Sequence, residues 1–152
     1  MKIFCSSILI FLILTFSLYS QNTINVPADY PTIQAGINAA NNGDIVLVSD
    51  GTYIENINFD GKAITIASHF IIDDDISHIT NTIIDGSEPA DSNMATVVRF
   101  VNEEDTSSVL CGFTITGGFG TQYTYREAGG IDIFDATPCI KNNIIEYNEI
   151  IS

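Results

Sequence analysis

The most informative part of the chain is residues 26–68, VPADYPTIQAGINAANNGDIVLVSDGTYIENINFDGKAITIAS. Thr32 can cap a short helix whose apolar face holds Ile33 and Ile37, because residues four apart lie on one face. Gly43 ends that helix by reaching the left-handed conformation. Three runs rich in β-branched residues follow, IVLV, NINF and AITIA, with turn residues between them. This order predicts a coil of short strands whose first turn is covered by a helix.

Strand-like runs continue through the rest of the chain, and no longer amphipathic helix separates them. Parallel strands normally need helical crossovers, unless the chain coils so that each strand pairs with the one a full turn later. Short corners therefore favour a parallel coil. An antiparallel sandwich is the alternative, because its strands also recur at short intervals. The runs are residues 45–48, 54–59, 63–67, 82–84, 96–101, 109–116, 131–134 and 140–145.

The later half of the chain contains an internal repeat. The units VVRFVNEEDTSSVLCGFTITGG and IDIFDATPCIKNNIIEYN share a strand, an acidic corner, a second strand and a polar end. Stacking them predicts corner positions for Asn142, Asn143 and Asn148, since Asn tolerates left-handed backbone and forms hydrogen-bonded rows. The register pairs Leu110 with Ile140, Phe113 with Asn143 and Ile115 with Ile145.

The 26–68 stretch, together with VLCGFTITGG and CIKNNIIEYN, resembles right-handed parallel β-helix proteins of the pectin lyase-like group. The resemblance implies an all-β right-handed parallel β-helix, or solenoid, of about four to six rungs over residues 21–152, with a short N-terminal capping helix. The chain ends after a strand-like segment without a second capping helix. We therefore expect the N-terminal part of a longer protein or a truncated gene product, and a short solenoid closed by dimerisation is the alternative.

Residues 1–20 predict a secretory signal peptide. Lys2 supplies the positive start, residues 3–19 are largely apolar, and Ser20 is a small residue before the expected cleavage site. A membrane anchor is the rival interpretation, but this run is shorter than the about 20 apolar residues that a spanning helix needs. We expect cleavage, a secreted or cell-surface protein, and no membrane contact afterwards.

The chain is strongly acidic, with a formal net charge of −14. Loss of Lys2 with the signal peptide would remove one positive charge and make the formal net charge more negative by one. Such a surface repels nucleic acid and anionic lipid, so neither is expected as a partner. Calcium or a neutral glycan is compatible with it, whereas acidic pectin would need a local cationic site or bridging calcium. Solubility alone also explains an acidic surface.

Two cysteines remain after the signal peptide, Cys111 and Cys139. The repeat alignment places them two residues out of step on neighbouring strands. Strands are about 4.8 Å apart and two residues advance about 6.6 Å, so the Cα atoms are separated by roughly 8 Å. This exceeds the disulfide limit of about 7 Å, and no disulfide is predicted.

The phrase GTYIEN holds Gly51, Tyr53 and Glu55 in a pattern that resembles the first signature of pectin methylesterases. The same phrase opens many β-helices of other function, where Gly makes the corner and Tyr packs beside the cap, so we expect structural roles for these residues. The methylesterase family also carries two catalytic Asp beside an Arg, in QDTL-like and DFIFG-like phrases. This chain does not match them, so no catalytic residue is predicted.

Two regions could contact carbohydrate. In the loop at residues 117–130, aromatic faces could stack on sugar rings and a guanidinium could donate to hydroxyl or carboxylate groups. The alternative is that the aromatic side chains fold back onto the solenoid. Two aspartates on the next strand could face a groove, or simply belong to a solvated outer face. The candidate residues are Phe119, Tyr123, Tyr125, Arg126, Asp132 and Asp135.

Asp73, Asp74 and Asp75 form the densest acidic cluster. Their carboxylates could offer oxygen ligands to calcium, and no other cofactor is expected. A solvated loop between rungs is the alternative, since the spacing matches neither an EF-hand loop nor an RTX nonapeptide. The flanking His69 and His78 lack the spacing of zinc ligands.

These features predict a secreted β-helix module that contacts extracellular polysaccharide or another cell-surface polymer and contains no complete catalytic site. The alternative is the N-terminal part of a carbohydrate-active enzyme, a pectinesterase or a polysaccharide lyase. In that case we expect its catalytic rungs beyond Ser152.

Overall fold

The computed structural model describes residues 20–121 and 128–150. Of the predicted signal peptide, residues 1–19 lie outside this part. The helices are α1 (Ile33–Ala39), α2 (Phe70–Asp73) and α3 (Ser77–Asn81), and none of them has the length and apolar character needed to span a membrane. The strands are β1 (Thr23–Val26), β2 (Ile45–Val48), β3 (Gly51–Ile54), β4 (Ile57–Asn58), β5 (Thr65–Ser68), β6 (Thr82–Asp85), β7 (Met94–Ala95), β8 (Val98–Phe100), β9 (Val109–Cys111), β10 (Thr114–Thr116), β11 (Gly120–Thr121), β12 (Ile131–Ile133), β13 (Cys139–Lys141) and β14 (Ile144–Ile145).

Three parallel sheets form the body of the protein. Sheet 1 has the order β1-β2-β5-β9-β13, sheet 2 has β3-β6-β10-β14, and sheet 3 has β4-β8-β12. The chain visits the sheets in turn, so each strand pairs with the strand that lies one turn later. The predicted parallel β-helix with its capping helix is confirmed, and the antiparallel sandwich is wrong. Among the described strands, only β7 and β11 pair antiparallel.

Ladders of apolar side chains at matched register positions build the core. Those of the middle strands are fully buried, and each contributes about 1.5–3 kcal/mol on leaving water. The register also confirms the predicted alignment of Leu110 with Ile140 and of Ile115 with Ile145. The ladder of sheet 1 consists of Ile24, Val46, Ile66, Leu110 and Ile140.

Helix α1 covers the first turn of the coil. The Thr32 hydroxyl caps it by accepting a hydrogen bond from the amide of Ala35 at 3.1 Å. Ile33 and Ile37 point into the core and are fully buried. The helix therefore shields the apolar ladder that the first turn would otherwise expose.

Charged side chains from the next turn hold both ends of α1. The Glu55 carboxylate accepts hydrogen bonds from the amides of Ile33 at 2.8 Å and Gln34 at 2.9 Å. The Lys62 ammonium donates to carbonyls at the other end, including that of Ile37 at 2.7 Å. The helix ends thus receive an anion at the N-terminus and a cation at the C-terminus, as the helix dipole favours.

Two runs predicted as single strands are each broken by a corner between sheets 1 and 2. The run 109–116 splits into β9 and β10 at Gly112, where φ is +89°. A Cβ atom there would lie 2.3 Å from the Ser68 hydroxyl, so the corner requires glycine. The run 140–145 splits at Asn142, where φ is +55°. The apolar pattern of the sequence continues through both corners, so the pattern alone does not show where one strand ends and the next begins.

Asparagine side chains join the last two turns at their corners. The Asn143 amide accepts from the backbone N–H of Phe113 at 2.9 Å and donates to the carbonyl of Leu110 at 3.0 Å. Asn148 bridges the following corner in the same way. The predicted corner positions of these asparagines are confirmed.

The two cysteines are out of register, as predicted. Cys139 pairs with Val109, whereas Cys111 pairs with Lys141 two residues further along. Both thiols are free. Burial raises the pKa of the Cys111 thiol.

We expect Ile37→Asp to lower the free energy of unfolding by at least about 3 kcal/mol, because it removes a buried side chain and places a charge in the core. Asn38→Asp is the matched control, since Asn38 is exposed on the same helix. Urea unfolding followed by circular dichroism measures both variants. Equal stability of the two would contradict the capping role of this face.

Candidate functional site

The residues of the GTYIEN phrase make structural contacts. The Tyr53 hydroxyl donates to the carbonyl of Ser49 at 2.9 Å. Burial, and then the neighbouring charges of Glu55 and Asp50, raise the pKa of Tyr53. Glu55 caps helix α1, and Gly51 lies against the Tyr53 ring. The residues that resemble an esterase signature are thus residues whose contacts hold the cap in place.

Polar side chains form a column on the outer face of sheet 3. Arg99 pairs in register with Asn58 of β4 on one side and with Asp132 of β12 on the other. The neighbours of Arg99 along its strand, Val98 and Phe100, are fully buried. Because side chains alternate along a strand, Arg99 and its two register partners face outward.

A cavity of about 180 Å³ opens beside this column. Segment 86–95, which enters between β6 and β8, forms its opposite wall. The Asn56 side chain ties the cavity to the next turn by donating to the carbonyl of Thr96 at 3.0 Å. The polar lining consists of Asn56, Asn58, Asp91 and Arg99. The apolar lining consists of Ile57, Ala90 and Met94.

Arg99 lines this cavity and carries a donor atom that is unpaired among the described residues. Its Nε atom is buried and has no hydrogen-bond partner in the described part of the chain. Both ion pairs found among those residues belong to His78 instead. A buried donor without a partner carries a desolvation cost. Since Arg99 as a whole is only half-buried, a ligand in the cavity would meet the accessible part of this side chain.

The structure separates the candidate residues that the sequence grouped together. Asp132 lies in the column and is only 6% exposed. Asp135 is exposed in the corner after β12, with φ at +49°, so it does not share the strand. Phe119 is half-buried, and its amide donates to the carbonyl of Ala95 on β7. Tyr123, Tyr125 and Arg126 lie outside the described residues.

Sequence reasoning missed Arg99, Asn58, Asn56 and Asp91. A usable signal was present for the column, because each of its members is the middle residue of an apolar–polar–apolar triplet. These triplets are Ile-Asn-Phe at 57–59, Val-Arg-Phe at 98–100 and Ile-Asp-Ile at 131–133. Their alignment becomes visible only once the register of the turns is known.

The three consecutive aspartates lie in the inserted segment between β5 and β6. Asp73 Oδ1 accepts from the amide of Asp75, and Asp75 Oδ1 accepts from the amide of Ser77, so both carboxylates stabilise turns. Asp74 has φ at +58° and ends helix α2. Within residues 20–121 and 128–150, no three His, Cys, Asp or Glu side chains are arranged to hold a metal ion.

His78 of α3 ties the insertion to the corner between β2 and β3. One ring nitrogen hydrogen-bonds to the Asp50 carboxylate, and the other lies 3.3 Å from the Asp73 carboxylate. The hydrogen bond with Asp50 raises the pKa of His78 and lowers the pKa of Asp50. The His69 ring packs edge-on against His78, with centroids 5.6 Å apart.

The fold and the cavity together define a parallel β-helix with a small, mainly apolar cavity beside the outer face of one sheet. A scan against models of protein families, a search of curated proteins and a search of solved structures each found no match.

We expect the stability contributed by the His78–Asp50 pair to depend on pH. The raised pKa of His78 means that this contribution is full below about pH 6.5 and is lost as pH rises through the folded pKa. The lowered pKa of Asp50 means that this stability is also lost in acid, as the pH falls below about 4 and then through the pKa of Asp50 in the folded protein.

Thermal unfolding of His78→Gln measures this dependence. The drop in melting temperature should be largest near pH 5.5 and should shrink by about pH 9. His69→Gln is the matched control, because it removes a histidine without the Asp50 contact. An equal drop for His78→Gln at both pH values would show that the pair does not titrate as argued.

Proposed function

We propose that the protein is a secreted β-helix module, related to the pectin lyase-like group, that binds carbohydrate through the sheet 3 cavity. The carrying observation is the cavity itself, where the Arg99 side chain lies beside two amides and a carboxylate. A cavity with a few convergent polar groups is the default location for a ligand.

The chemistry of the lining fits a sugar. Sugar hydroxyls both donate and accept hydrogen bonds, and the cavity offers a guanidinium donor, amide groups and the Asp91 carboxylate. Ala90 and Met94 give it an apolar surface against which the C–H face of a sugar ring could pack. Extracellular polysaccharide is the ligand class that combines these features with the predicted secretion.

The net charge of −14 supports the same assignment. It disfavours nucleic acid and anionic membranes, as both repel an acidic surface. An uncharged polymer meets no such barrier. Because β-helices support both binding and catalysis, the fold alone does not choose between these roles.

The second candidate is part of a pectinesterase or polysaccharide lyase. The observation in its favour is the register pairing of Arg99 with Asp132, since a carboxylate beside a guanidinium on neighbouring rungs is what such chemistry uses. The third position of the column is Asn58, however, and an amide cannot serve as the second acid or base.

We expect Arg99→Met to weaken glycan binding by at least about tenfold, because hydrogen bonds to a charged group contribute about 1.5–3 kcal/mol. Lys141→Met is the matched control: it removes the same charge from an exposed position on sheet 1. The measurement is binding of the purified protein and both variants to an array of plant and microbial glycans.

Binding that is equal for Arg99→Met and the parent would remove the cavity from the proposal. Absence of binding to any glycan on the array would overturn the proposed function itself.

We expect the purified protein to release neither methanol from pectin nor unsaturated products from polygalacturonate, with or without calcium. The reason is that the column supplies one carboxylate and not an acid–base pair. Product formation that disappears in Asp132→Asn would favour the enzyme.

A further inference from the structure

The size of the sheet 3 cavity limits what it can hold. Its volume of about 180 Å³ lies below the range of about 300–1,000 Å³ that is typical of drug-sized ligands. Such a space can enclose one sugar ring, and the neighbouring rings of a polymer would lie outside it.

The charges around the cavity oppose an anionic ligand. Arg99 is the one cation among the described residues that line it, and the Asp91 carboxylate lines the same space. A second carboxylate, Asp132, is the register neighbour of Arg99. The Lys62 ammonium is committed to the end of α1, and Lys141 lies on sheet 1. A ligand carboxylate would gain one attraction and meet one repulsion within the cavity, and it would approach a chain whose formal net charge is −14.

The hydrogen-bonding capacity of the cavity is mixed. Asp91 Oδ1 accepts from the amide and the side chain of Asn93, whereas Oδ2 accepts none of the hydrogen bonds found among the described residues. The Arg99 guanidinium is a donor, and Asp91 Oδ2 is an acceptor. A hydroxyl-bearing ligand can bond to both, because a hydroxyl accepts from one and donates to the other. A carboxylate only accepts, so it can bond to Arg99 but not to Asp91.

We infer that the cavity binds one uncharged sugar residue, with hydroxyl groups between Arg99 and Asp91, and discriminates against uronic acids. This inference rests on the proposed carbohydrate-binding function and assigns its ligand class.

The test compares sugars that differ at a single position. Methyl glycosides of glucose, galactose and mannose are titrated into the purified protein beside the corresponding uronic acids, in which a carboxylate replaces the CH₂OH group. Isothermal titration calorimetry at low and high salt gives the affinities. At least one neutral sugar should bind about tenfold more tightly than its uronic acid, and the ratio should fall in high salt.

Asp91→Asn identifies the source of the discrimination. It keeps the Oδ1 acceptor of the turn but removes the charge, so affinity for the uronic acid should rise. Asp105→Asn is the matched control, because Asp105 Oδ1 accepts from the amide two residues ahead, as Asp91 Oδ1 does, and does not line the cavity. The control should leave the ratio unchanged.

Two results would overturn the inference and are distinguishable. If a uronic acid binds as tightly as its neutral partner, or more tightly, the ligand class is wrong and the carbohydrate-binding function stands. If no sugar binds in the titrations and no glycan binds on the array, the proposed function fails and the inference fails with it.

Discussion

Helix α1 is clamped between an anion and a cation that both come from the turn beneath it. The Glu55 carboxylate accepts hydrogen bonds from the first amides of the helix, and the Lys62 ammonium donates to its last carbonyls. These are the backbone groups that a helix cannot satisfy by itself. The two contacts hold helix α1 over the apolar side chains of the first turn. Each later turn of the coil pairs in register with the turn before it. The register of the whole coil therefore starts from the turn that this clamp holds in place.

The same register produces the candidate site. In each turn, two inward-facing apolar residues of the sheet 3 strand flank one outward-facing residue. Because the turns stack in register, these outward-facing residues lie next to each other on the outer face. Asn58, Arg99 and Asp132 are brought together in this way although they are far apart in the chain. The inserted segment at 86–95 then adds a wall beside Asn58 and Arg99, and a cavity lies between this wall and these two side chains. Packing inside the coil therefore positions polar chemistry outside it.

The sequence was sufficient for the architecture but only partly for the site. Strand β2 and the capping helix follow from local signals, a β-branched run and Thr32 before spaced isoleucines. The roles of Glu55 and Lys62 as helix clamps do not, because their partners lie on another turn. Arg99 reads as an ordinary polar position in a strand until its neighbours are known. Asp135 was misplaced because the corner that follows Ile133 continues the apolar pattern.

The central claim is that contacts from the second turn to both ends of α1 hold this helix over the first turn of the coil. The most direct measurement is the free energy of urea unfolding for Glu55→Gln, Lys62→Met and the double variant. We predict losses of about 1–2 kcal/mol for each single change, and a larger loss for the pair, since each removes charged partners of otherwise unsatisfied helix-end groups. Variants that all remain within about 0.5 kcal/mol of the parent, the range of ordinary surface substitutions, would contradict the claim.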